Sequence, residues 1–324
     1  MTLRQTMGRQ GITLAVIVAL ALWVIALIVP AVAAPVSDFG ICLPSPNLWL
    51  ISPEWGTAVN FVILGGATTL LWWLNKEYSF VPGSDTVLTG MFLLLASTNR
   101  WITGPLTAST VMVLANLICL AILFGCYRKP NASQELFVIA TIMGIGSMFQ
   151  YAFIFMIPVY IVGAIMMKCL GAKSLTGFLM GLVAPYWVAA GLGLIPLENF
   201  RLPHISPFVM GRDNDFSIFA GLVAVGLCGV LTILLALNNM VKLYAGNTRR
   251  RLNNNILNLL GLVTIACIIT DYHNMTAYLA TLYMIFAVQI ANLFALHDIR
   301  RGWIWLLSLS AVYVAGFVVM TFNV

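Results

Sequence analysis

LFVIATIMGIGSMFQYAFIFMIPVYIVGAIMM, residues 136 to 167, decides how many times this chain crosses a bilayer. A helix needs about 20 apolar residues to span roughly 30 Å of hydrocarbon. The run is too long for one such crossing and too short for two full ones. Gly144, Gly146, Ser147 and Gln150 weaken helix in its middle, so it reads as two short helices meeting near Ser147 to Tyr151.

The rest of the chain agrees that the solvent is lipid. Of 324 residues, 61% are hydrophobic and 8% charged, too apolar to hide inside one water-soluble core. Apolar runs suited to spanning helices fall near 12–33, 57–74, 107–125, 175–195, 216–237, 277–295 and 303–322. Shorter runs fall near 255–270 and over DTVLTGMFLLLAST, 85–98. With the split run these predict an all-α polytopic transmembrane helix bundle of about eleven crossings, N-terminus cytoplasmic and C-terminus external. The first apolar run, preceded by Arg4 and Arg9 and ending AVAA, is longer than a secretory signal core and reads as an uncleaved signal anchor.

Charge tests this arrangement independently. Thirteen of the sixteen basic residues fall on the cytoplasmic side, leaving Arg100, Arg201 and Arg212 outside. Removing the 85–98 crossing, or treating 136–167 as one, would send several basic loops to the other face. The net charge of +6 is therefore an orientation signal, with no basic patch for nucleic acid. Trp72, Trp73, Trp303 and Trp305 suit the inner interface, and Trp49, Trp55, Trp101 and Trp187 the outer one. The non-spanning stretches 34–56 and 196–215 are too short to fold alone, so residues 1–324 read as a single integral membrane domain. Their prolines, among them Pro44, Pro46 and Pro203, favour structured loops.

The external side gathers the residues that could carry chemistry: Asp38 and Glu54, Arg100, then Glu198, Arg201, His204, Arg212, Asp213 and Asp215, and later Asp271 with His273. Arginine's planar fork gives phosphate two parallel charge-assisted hydrogen bonds, so Arg100, Arg201 and Arg212 together would suit a diphosphate at the membrane surface. Each also has a plainer explanation: Arg100 as an interfacial side chain beside Trp101, Arg212 as an ion-pair partner of Asp213 and Asp215, His204 as a structural residue. Asp38 could serve as a base toward an acceptor hydroxyl or be a turn residue in SDFG. Asn116, Gln289 and Asn292 read as polar contacts between helices, and Gly177, Gly181, Gly191 and Gly193 as points of close helix packing. NAS at Asn131 and NMT at Asn274 match the glycosylation sequon. The cytoplasmic run NTRRRLNNN, 247–255, fits a topology anchor or contact with anionic headgroups. Six cysteines give neither a disulfide framework nor a metal spacing, and no cofactor or metal is expected.

The order NKEYSFVPGSD, NRWITGPLT, CYRKP, the split run with Pro158, KCLGAKS and GLVAPYW, followed later by LNNMVKLYAGNTRRR, resembles a multi-pass inner-membrane family of Bacteroidetes-type bacteria. That resemblance implies a bacterial inner-membrane location and brings no activity with it. Residues 1–195 are more distantly similar to the membrane core of C-type glycosyltransferases, with 216–324 as additional C-terminal helices. The second likeness implies sugar transfer from or onto a polyprenyl-phosphate carrier at the external face, with Asp38 as the catalytic acid and Arg100, Arg201, Arg212 and His204 around the lipid phosphate. Two other functions fit a bundle of this kind: a lipid-linked substrate transporter, and a non-catalytic membrane subunit of an envelope or secretion assembly. The partners expected are membrane lipid, a lipid-linked glycan and other membrane proteins.

Overall fold

The computed structural model describes residues 3–29, 40–49, 52–195, 200, 216–243, 247–296 and 302–322. Eleven α-helices lie within them: α1 (Leu3–Ile28), α2 (Pro53–Tyr78), α3 (Asp85–Ser97), α4 (Ala108–Gly125), α5 (Ser133–Phe149), α6 (Ile157–Met166), α7 (Ala172–Gly191), α8 (Phe216–Leu243), α9 (Thr248–Thr270), α10 (Met275–Leu296) and α11 (Gly302–Phe322). The helix break in the opening stretch falls at Gln150, which is extended, and a short 3-10 turn, Tyr151–Met156, leads into α6. Seven helices (α2, α4 and α7 to α11) are long and apolar enough to cross a membrane by length and composition, and four shorter apolar ones accompany them.

Local chemistry explains the boundaries. Ser52 accepts the Trp55 N–H at the start of α2 and Pro53 opens the helix, with Glu54 in its first turn and Lys76 in its last, all favourable to the helix dipole. Ser79 in the left-handed region (φ 47°) then stops it.

Cross-helix contacts sort the ends into two faces. At one, Arg249 donates to the Phe124 carbonyl, Arg250 to that of Ser79, and the Arg128 N–H to Met167. Lys242 reaches the last carbonyl of α10 at Leu296 on the same face. This is the basic end. At the other lie the end of α1, the starts of α2 and α4, Gln150 and the α9–α10 junction.

The core is centred on α10, every residue of which from Met275 to Asn292 is buried. It packs against α3, α4, α8 and α9. An apolar helix buried on all sides must join its neighbours through its few polar groups, and those bonds are made. Asn116 donates to Thr281 and accepts from Tyr160; Gln289 donates to Asn258 and accepts from Asn239; Asn292 donates to Asn254, which itself donates to the Phe80 carbonyl. The polar residues expected to join helices do so.

The α5–α7 pair is held close by glycine. A methyl at Gly177 would stand 2.6 Å from the Ser133 hydroxyl, and one at Gly181 would run into the Phe137 carbonyl oxygen. Gly191 and Gly193 differ from expectation: neither has anything within 4 Å of an added methyl, and Gly193 (φ 66°) serves the turn after α7. All six cysteines are free and buried.

A candidate site at the end opposite the basic face

The α3–α4 connection is the first irregular feature at this end. Its residues from Thr98 to Gly104 are all buried, so non-helical backbone runs inside the protein beside spanning helices. Such backbone is stable there only if its polar groups are satisfied internally. Asn99 accepts the Trp101 N–H through its side chain, and its carbonyl takes the N–H groups of Ile102 and Thr103. Asn60, in the second turn of α2, donates to the carbonyls of Ile102 (2.6 Å) and Gly104 (3.0 Å). Trp23 donates to Ser97, and Asn47 accepts the first N–H of α4 at Ala108.

Arg100 projects from this turn with only 1% of its surface exposed. Its Nη2 donates to the Val29 carbonyl at 2.8 Å, and the guanidinium lies 5.9 Å from the Phe317 ring. A cation at the C-terminal end of α1 meets the negative pole of that helix. Burial also lowers the Arg100 pKa from its ordinary value. Trp101 is equally buried, its ring beside Gly221 of α8, so neither residue is the interfacial anchor that the sequence suggested. As placed, Arg100 holds α1 against the turn and does not present its fork to the membrane surface.

The second feature is a buried carboxyl. Asp271, 1% exposed, ends α9, its N–H bonded to Cys267. Its Oδ1 accepts from Tyr151 (3.3 Å) and Asn274 (3.2 Å), and its Oδ2 from Asn274 and Tyr278 (3.3 Å each). Gln150 donates to the side-chain amide Oδ1 of Asn274 at 2.8 Å, and the Asn274 amide also donates to the Tyr151 hydroxyl. The cluster therefore joins the break between α5 and α6 to the break between α9 and α10. Among the described residues no Lys or Arg forms an ion pair with Asp271. Burial raises its pKa, while the bonds from Asn274, Tyr278 and Tyr151 act against that rise.

Gln150 is positioned from above. The N–H groups of Ile41, Cys42 and Leu43 cap the α5 carbonyls of Ser147 and Met148, and Tyr186 shares a 2.6 Å hydrogen bond with Ser147. Gly40 is required there, since a methyl would meet the Phe149 carbonyl carbon. Asn274, which matches a sequon, is fully buried in this cluster and closed to glycosylation in the folded protein.

Of the five candidate site residues, Asp38, Arg201, His204 and Arg212 lie outside the described residues, and Arg100 is the one placed. Asp271 is visible in the sequence as an external acid, but its three partners Tyr151, Asn274 and Tyr278 are not. A signal existed in DYHNMTAY: Asn274 and Tyr278 follow Asp271 at i+3 and i+7, one helical face. Among the described residues no group of three or more His, Cys, Asp or Glu side chains could hold a metal. Compared with protein-family models, curated proteins and solved structures, the chain matches none.

Proposed function

We infer that this is an eleven-crossing protein of the bacterial inner membrane, basic end in the cytoplasm and C-terminus outside, working in envelope glycan assembly. Its chemistry in this reading is transfer of sugar from or onto a polyprenyl-phosphate carrier at the external face. The carrying observation is Asp271, a buried carboxyl without a Lys or Arg partner among the described residues, at the end where basic residues are scarce. A carboxyl raised by burial is suited to take a proton from an acceptor hydroxyl. The resemblance over 1–195 supports the substrate class, with Arg201, Arg212 and His204 as groups around the phosphate and Asp38 as a second candidate for the catalytic carboxyl. Arg100 acts indirectly, by fixing the turn.

A second reading, a non-catalytic membrane subunit, is favoured by one fact: the cluster's groups chiefly bond one another, as a structural network would. The glycan profile of cells lacking the protein, complemented with wild type or Asp271→Asn, separates the two. The enzyme reading expects a defect that wild type repairs and Asp271→Asn, present at equal abundance, does not. Full repair by Asp271→Asn, with a stoichiometric partner co-purifying, would favour the subunit.

A further inference from the structure

A cleft of about 380 Å³ opens on the flank of the bundle between α8, α10 and α11. Its walls are apolar, with Leu231 and Leu235 from α8, Ile290 and Phe294 from α10, and Leu306 and Leu309 from α11. Phe294 shapes its lower end: Gly302 starts α11 where a side chain would collide with the Phe294 ring, so the two helices meet closely there. A cleft with such walls, on a surface that faces lipid, takes a hydrocarbon chain.

What lies at the end of the cleft selects the lipid. Lys242 continues the α8 stripe of Leu231 and Leu235, seven residues beyond Leu235. Its ammonium is exposed at the basic end, bonded to the Leu296 carbonyl at 3.3 Å. In the sequence Arg300 and Arg301 immediately precede Gly302, and Trp305, an exposed ring suited to the headgroup level, is a further lining residue. Lys242 thus ends the α8 stripe that lines an acyl-sized apolar slot.

We propose that this cleft is a binding site for an anionic phospholipid of the leaflet at the basic end, one acyl chain between α8, α10 and α11 and the phosphate beside Lys242. Electrostatic attraction of this kind is worth roughly a fivefold preference per basic residue near the surface. The site is independent of the Asp271 cluster and survives if the function inferred from that cluster is wrong.

The test uses the full chain in detergent micelles, titrated with phosphatidylglycerol or phosphatidylethanolamine and read by native mass spectrometry. Wild type should retain one phosphatidylglycerol at least fivefold more tightly than phosphatidylethanolamine. The variant Lys242→Gln should lose that preference, and Leu235→Trp should lose the bound lipid. Because Leu235→Trp could unfold the protein, wild type is also labelled with a phosphatidylglycerol carrying a photoreactive group at the end of one acyl chain. Labelled peptides should come from α8, α10 and α11, and excess unlabelled phosphatidylglycerol should suppress them. Equal retention of the two lipids by wild type, or label spread evenly over all lipid-facing helices, would overturn the proposal.

Discussion

Asp271 is costly where it sits, and pH should reveal the cost. Its pKa stands above the ordinary 3.8 because burial opposes the carboxylate more than its three donors favour it. The fold therefore prefers the protonated acid: that stabilisation is complete below the unfolded value and is lost as pH rises through the folded one. Asp271→Asn imitates the protonated form, so it should melt above wild type at pH 8, with the difference vanishing below about pH 4. Thermal unfolding across that range checks this, and a wild type more stable than the variant at pH 8 would contradict it. Arg100 gives the opposite expectation. Arg100→Met keeps the apolar stem but removes the bond to Val29 at the end of α1, and should cost about 1–3 kcal/mol, measured as a lower denaturation midpoint. The sequence showed both residues outside the cytoplasmic set, but not that both are buried. A charged residue between two apolar runs looks the same whether its loop lies on the surface or folds back inside, and Asn60 and Asn99, which satisfy the inward turn, are distant or unremarkable in the sequence.

At the scale of elements, helix number was legible and helix contacts were legible in part. Glycine and polar residues in the middle of 136–167 marked the break that falls at Gln150, because a helix weakened there has to end or bend. Glycine carries two meanings in a sequence, since the same small residue serves close packing at Gly181 and a left-handed turn at Gly193. The distinction is measurable. Gly181→Ala should push α7 off the Phe137 backbone and destabilise the protein by about 1–3 kcal/mol. Gly191→Ala, with open space around it, should be neutral or stabilising by up to about 1 kcal/mol. Equal losses at the two positions would remove the argument for a glycine-mediated α5–α7 contact.

Across the whole molecule, Lys242, Arg249 and Arg250, which sequence order placed on one side, gather among the described residues at one end of the bundle. The contacts of Arg249, Arg250 and Lys242 show this directly. That segregation, together with a buried α10 and two helix breaks meeting at Asp271, is the frame on which the functional proposal rests. The measurement that tests it most directly is the sidedness of the two ends in intact cells. With the six native cysteines buried, single cysteines at Lys129 and His273, both exposed, report the basic end and the Asp271 end respectively. A membrane-impermeant maleimide should label His273→Cys in intact cells and Lys129→Cys only after the membrane is opened. Labelling of both from outside, or of Lys129→Cys alone, would contradict an Asp271 site at the external face.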